Sequence, residues 1–152
     1  MSEFKPADDA YSERVRASFE RQGVMTLLGA RLTRIEPGLV EITVPFREDL
    51  TQQHGLFHAG VSTTIADSAA GYAAYTLFPA EAAILAVELK INFLAPAEGE
   101  ALIATGRVLK PGRTLTVNEM DVHCRRGDDH VLCARGIQTT ICVLDRPGLS
   151  PG

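Results

Sequence analysis

Residues 61–78 read VSTTIADSAAGYAAYTLF, and Pro79 follows. Alanine is the best helix former, and a stretch of this length without proline predicts one long helix that Pro79 ends. Its small residues, Ala66, Ala69, Ala70, Gly71, Ala73 and Ala74, would let another layer approach the helix backbone closely. Asp67 breaks the apolar run. At about 100° per residue it shares a helix side with Thr63, Ala70, Gly71 and Ala74. Carboxylates are rarely buried without a partner, because desolvating the charge is expensive. The residues alone leave three readings of Asp67: an exposed side, a cap on a neighbouring loop, or a reactive group.

On the N-terminal side, Asp8 to Gln22 carries Tyr11, Val15, Phe19 and Gln22 at spacings of three or four. That pattern predicts a one-sided helix, with Gly23 placed to end it. Strands are expected at Ala30–Ile35 and Val40–Val44, separated by the Glu36-Pro37-Gly38 turn signal. Arg47 to His58 has no clear period and reads as a loop. After the helix, four long strands are expected: Leu85 to Phe93, Ala101 to Leu109, Thr114 to Cys124 and His130 to Val143. Strands gathered around one apolar helix imply an α+β fold with the helix against one sheet face. A curved antiparallel sheet wrapped around a central helix is the hotdog arrangement. The expected division is an N-terminal helical extension over 1–26, the hotdog domain over 27–144 and a flexible, turn-rich tail over 145–152.

Composition narrows the class. The chain has 152 residues, about one domain, and is 45% hydrophobic and 22% charged. A net charge of −4 argues against a nucleic-acid partner, which would need a basic face. No apolar run is long enough for a bilayer span, and MSEFKPADD lacks the basic start and apolar stretch of a signal peptide. Cys124, Cys133 and Cys142 are odd in number and form no CxxC pair. They argue against disulfides and against a thiolate metal site. A soluble cytoplasmic protein without metal or other cofactor is expected.

The stretch Gln52-Gln53-His54-Gly55-Leu56-Phe57-His58-Ala59-Gly60 runs straight into the helix. His58, Ala59 and Gly60 are not standard caps, so this helix start is expected to be uncapped. Free N–H groups there suit an oxyanion or a polarised carbonyl. Asp67 lies nine residues after His58, roughly 10 Å from the helix start. One substrate could meet both only if a loop or a second subunit brought the pieces together.

His58-Ala59-Gly60 followed by Asp67 resembles the H-G-G-x6-D pattern of hotdog acyl-CoA thioesterases in the phenylacetyl-CoA thioesterase-like branch. The longer string, from Gln52-Gln53-His54-Gly55 to Gly71-Tyr72-Ala73-Ala74, is similar to bacterial medium- and long-chain acyl-CoA thioesterases. Glu88 to Ala97 resembles the family's strand with an aromatic end and a Pro-Ala turn, and Gly112-Arg113-Thr114-Leu115 its later Gly-Arg/Lys turn. The resemblance implies hydrolysis of an acyl-CoA to free acid and CoA. Asp67 would act as general base on water or as the nucleophile, and the N–H of Ala59 would polarise the carbonyl. His58 would orient the turn or hydrogen-bond near the carbonyl, and Gln52 stands where many relatives hold substrate or water with an Asn. Gly60, Thr63 and Gly71 would line the substrate site, with Asn92 and Arg113 toward CoA. It also implies a homodimer pairing sheets edge to edge, or a dimer of such dimers, with sites at the interface and Asp67 facing a turn from the other subunit.

Two departures from the pattern stand out. Ala59 replaces a Gly and would be strained if the turn needed positive φ. Ala86 replaces a Ser or Thr expected near the acid, leaving a polar contact that water could supply. Four other readings compete. Asp49 and His54 are spaced like an enoyl-CoA hydratase acid–base pair, but Thr51-Gln52 stands where that motif has Asn-Pro. His54, His58 and Asp67 could be a metal trio only if the loop were helical. Ser62 or Ser68 would need a nucleophile elbow that the sequence lacks. A non-catalytic acyl-CoA or lipid-binding module on the same fold is the alternative of a different class. Phe57 and Tyr72 are candidates for lining an acyl chain.

Overall fold

A computed structural model describes residues 4–151; residues 1–3 and 152, the ends of the expected extension and tail, lie outside the described residues. The elements follow in the order α1 (Tyr11–Glu20), α2 (Gly23–Leu28), β1 (Arg31–Glu36), β2 (Leu39–Pro45), a short 3-10 turn (Glu48–Leu50), α3 (Ala59–Tyr75), β3 (Ala83–Phe93), β4 (Ala101–Lys110), β5 (Leu115–Arg126) and β6 (Asp129–Val143). The fold is α+β: six antiparallel strands in the order β1-β2-β4-β5-β6-β3, with α3 packed across one face. Chain order and sheet order diverge at β3. After α3 the chain pairs with β6 at the far edge, leaving the other side of β3 unpaired among the described residues.

The N-terminal helical region differs from the expected single helix. Gly23 does not simply end a helix but opens α2, after a turn at Arg21 and Gln22. The true stop is Gly29, whose φ of 67° lies in the left-handed region that favours glycine. The central helix begins at Ala59, two residues before the expected Val61, and ends at Tyr75 rather than Phe78.

Small side chains explain how α3 fits the sheet. Ala66, Ala69, Ala70, Ala73 and Ala74 are fully buried in one core with Ile42, Val44, Leu102, Ala104, Met120 and Val122 of the strands. Opposite Ala69 and Ala70 the strand β4 carries Gly106, where an added Cβ would collide with the helix backbone itself. Arg14 of α1 closes the C-terminal end of the helix. Its guanidinium donates to the carbonyl oxygens of Phe78 (2.9 Å), Pro79 (3.4 Å) and Tyr75 (3.5 Å) and lies 4.4 Å from the centre of the Tyr75 ring. It is also paired with Asp8 at 3.0 Å.

On the strands, alternate residues face α3. Thr116, Asn118, Met120, Val122 and Cys124 of β5 point inward, and in β6 so do Ala134, Gly136, Gln138 and Thr140. The opposite sheet face carries charged residues, among them Asp121, which accepts from Arg135 (2.6 and 2.8 Å) and Arg107 (3.4 Å). The three cysteines are free thiols; Cys124 and Cys133 are buried and Cys142 is half-buried. Among the described residues no helix is long and apolar enough to cross a membrane.

Candidate active site

Asp67 sits in the middle of α3, half-buried, in a cleft of about 100 Å³ between the helix, the α1–α2 junction and the β6–β3 edge of the sheet. Gln22, Ser68, Gly71, Tyr72, Ile84, Ala86, Gln138 and Thr140 complete the lining. Burial pushes the Asp67 carboxyl above the usual carboxylate range, and a hydrogen bond from Gln138 pulls part of that shift back. The Gln138 amide donates to Asp67 Oδ1 in a short contact and to the Asp67 backbone carbonyl at 3.1 Å. The other carboxylate oxygen, Oδ2, has no hydrogen-bond partner among the described residues. A carboxylate held by one oxygen, with a raised pKa and an open second oxygen, can take a proton from water or attack an electrophile.

Beside it, Ser68 Oγ donates to Gln22 Oε1 (3.1 Å), and Gln22 Nε2 donates to Tyr72 Oη (2.9 Å). Tyr72 Oη is also 3.0 Å from Ser18 Oγ. Ser68 is thus tied into an amide–phenol cluster with no histidine among the cleft residues. That arrangement lacks the base a serine nucleophile needs.

The start of α3 corrects one expectation: it is capped. The His58 ring Nδ1 accepts from the Gly60 N–H at 2.7 Å, taking the place of the usual oxygen cap. The N–H of Ala59 keeps no acceptor among the described residues. Ala59 is not at positive φ, so replacing glycine there carries no backbone strain. Ala59, Gln52, Phe57 and Ser62 line a second cleft of about 180 Å³ with Phe93 and Cys133. Within it, Gln52 Oε1 accepts from the His54 N–H.

The expected site residues therefore fall into separate groups within one chain. Gln52, His58, Ala59 and Gly60 gather at the start of α3, whereas Asp67 and Gly71 share the cleft further along. Ala59 and Asp67 are separated by about 12 Å of helix at the helical rise. Thr63 lies between them, its hydroxyl donating to the Ala59 carbonyl at 2.9 Å. Asn92 lies on the sheet face away from α3, beside Lys90, Glu119 and Arg135, and Arg113 is exposed in the β4–β5 turn. Phe57 lines the cleft at the helix start and Tyr72 the cleft at Asp67.

Asp49 is paired with Arg47 through two 3.0 Å contacts, and that hydrogen-bonded guanidinium holds its carboxyl below the usual range. It is not poised as the base of a hydratase pair. Among the described residues no group of three His, Cys, Asp or Glu side chains could hold a metal ion. Sequence reasoning passes over Gln138 and Gln22 as site residues. The available signal is a polar residue at an inward strand position, and this sheet has polar residues on both faces.

Residues 54–132 match the thioesterase superfamily, so the chain belongs to that family of thioester hydrolases. It is similar to the crystal structure of a thioesterase family protein from Silicibacter pomeroyi, at 47% identity and TM-score 0.87, covering 88% of this chain and 98% of that one. Human acyl-coenzyme A thioesterase 13 is 30% identical over 107 residues, 69% of this chain and 72% of its own length. The PaaI protein of the E. coli phenylacetic acid degradation operon shares the fold at 20% identity and TM-score 0.80, covering 90% of this chain and 96% of that one.

Proposed function

We propose that the protein hydrolyses an acyl-CoA thioester to the free acid and CoA, with Asp67 as the reacting carboxylate. The observation that carries the reading is the Asp67 cleft: a carboxylate raised by burial, fixed through Oδ1 and open at Oδ2. Acting as base, Asp67 Oδ2 takes a proton from water while the water oxygen bonds to the thioester carbon. The negative charge that develops on the carbonyl oxygen is met by the Ala59 N–H, which the His58 cap leaves free. Collapse breaks the C–S bond, and the proton passes to the departing thiolate, giving acid and CoA. In the nucleophilic variant, Oδ2 bonds to the carbonyl carbon and the C–S bond breaks to release CoA thiolate. Water then cleaves the resulting anhydride, freeing the acid and the Asp67 carboxylate, and the proton released goes to the thiolate.

Since Ala59 and Asp67 of one chain lie too far apart for one carbonyl, the reading includes a second subunit. The edge strand β3 supports it. That strand is eleven residues long, exposes Leu85, Val87 and Phe93, and contributes Ile84 and Ala86 to the Asp67 cleft. A free edge of this length invites pairing. A second copy added along β3 would cover the cleft and could present its own helix start to Asp67. Asn92 and Arg113 would then serve the CoA end from outside the cleft.

The test is free-thiol release from acetyl-, octanoyl-, palmitoyl- and phenylacetyl-CoA by the wild type and by Asp67→Asn. Release by the wild type and a loss of about two orders of magnitude or more in the variant are expected, the scale of a general base. Comparable rates from both proteins would remove Asp67 from the mechanism. Absence of release from all of these substrates would favour a non-catalytic acyl-CoA-binding module.

A further inference from the structure

We propose that Gln138 is the positioning residue of the site: it fixes Oδ1 of Asp67 and so assigns Oδ2 as the oxygen that meets water or substrate. This inference rests on Asp67 being the reacting carboxylate.

The orientation of the Gln138 amide is determined by its neighbours. Both Asp67 atoms it touches, Oδ1 and the backbone oxygen, are acceptors, so the NH2 end must face them. The Gln138 oxygen is then turned toward Asn118 Nδ2, 3.4 Å away. Asn118 Nδ2 also donates to Thr140 Oγ1 at 3.3 Å, and Thr140 Oγ1 donates to the Thr116 carbonyl at 3.4 Å. The Asn118 amide therefore has two branches. One runs through Gln138 to the carboxylate, and the other ties the amide through Thr140 to the β5 backbone. Gln138, Asn118 and Thr140 are each 0% exposed, so solvent does not compete for these bonds.

The chain of amides does more than fill space. Asn118 Oδ1 is buried without a hydrogen-bond partner among the described residues. Apolar residues of similar shape would occupy the same volume without an orphaned acceptor. The arrangement instead delivers one oriented donor to Asp67. It does so from the strand partner of Leu89, in the cleft that Ala86 also lines.

The charge state of Asp67 provides a readout that packing alone would not move. The elements around the carboxylate bring it amides, hydroxyls and apolar groups: Gln22 from the α1–α2 junction, Ile84 and Ala86 from β3, Gln138 and Thr140 from β6. Tyr72, on α3 itself, is the other titratable group of the cleft.

The experiment compares wild type, Gln138→Met and the more distant Thr140→Val. The Asp67 carboxyl is titrated by 13C NMR, and kcat and KM are measured against pH with the acyl-CoA that the wild type cleaves fastest. Loss of the donor leaves burial unopposed, so the Asp67 titration and the acidic limb of kcat/KM should both move to higher pH in Gln138→Met. A fall in kcat of about tenfold or more with little change in KM is expected, and a smaller shift of the same sign in Thr140→Val. An unchanged Asp67 titration in folded Gln138→Met overturns the proposal. If Gln138→Met does not fold, an unchanged titration in Thr140→Val does so. A shifted titration with an unshifted rate profile also overturns it. Failure of the underlying reading is seen separately, as full activity in Asp67→Asn.

Discussion

At the scale of single residues, the Asp67 carboxyl stands on the core side of α3 at a cost to folding. Its folded-state pKa is raised, by burial first. A raised carboxyl pKa means that the folded state disfavours the charged form, so stability is highest below the unfolded pKa and is lost as pH rises through the folded one. Asp67→Asn keeps an oxygen for Gln138 to bond and removes the charge. It should therefore raise Tm by a few degrees at about pH 7, and the gain should vanish in melts near pH 3. An unchanged or lower Tm at neutral pH would contradict the account of its burial. The same substitution that stabilises the protein is the one expected to abolish thiol release, a familiar trade between activity and stability.

At the scale of elements, α3 is fixed at its middle and at both ends by different chemistry. In the middle, Gly106→Ala would place a Cβ in collision with the backbone of Ala69 and Ala70. A backbone cannot rotate away as a side chain can, so a loss of about 2–3 kcal/mol is expected, read as a lower midpoint in urea. At the C-terminal end, Arg14→Met removes donors to three carbonyl groups and a cation over the Tyr75 ring. About 1–2 kcal/mol should be lost in the same measurement. Much of this element is legible in the chain. Ala66 to Ala74 announce a helix that something will approach closely, and Val40 to Val44 announce their strand by alternation. What stays hidden depends on which strand lies opposite. Gly106 reads as an ordinary strand residue until β4 is placed under α3. Gln138 and Asn118 carry no mark in the sequence that sets them apart, because the far face of β5 and β6 carries polar residues as well. The cap at His58 escapes a sequence reading because an imidazole nitrogen, not an oxygen, accepts from Gly60. The break at Gly23 escapes it because a glycine that can end one helix can also open another.

At the scale of the whole molecule, two features should be measurable in solution. The unpaired edge of β3 predicts at least a dimer by light scattering, and a monomer at all concentrations would remove the shared-site reading. On the sheet face away from α3, Arg135, hydrogen-bonded to Asp121, holds that carboxyl below the usual range. A depressed carboxyl pKa contributes stability above the unfolded pKa, and that contribution is lost as pH falls through the folded value. Arg135→Gln should therefore lower Tm clearly at about pH 7 and much less near pH 2, where Asp121 is protonated in either protein. Equal effects at the two pH values would show that the pair acts through packing rather than charge.

The buried thiols give the fold an internal clock. Burial pushes the Cys133 thiol up to about 11 and raises Cys124 as well, so neither presents an appreciable thiolate to an alkylating reagent while the sheet is closed. Cys124 and Cys133 lie on the β5 and β6 strands and Cys142 near the end of β6. The alkylation rates of the buried Cys124 and Cys133 would thus time the opening of that part of the sheet, whereas half-buried Cys142 can react without it. Mass spectrometry of the labelled peptides could then follow opening at the β5–β6 hairpin end, where Cys124 and Cys133 both lie, with no introduced label.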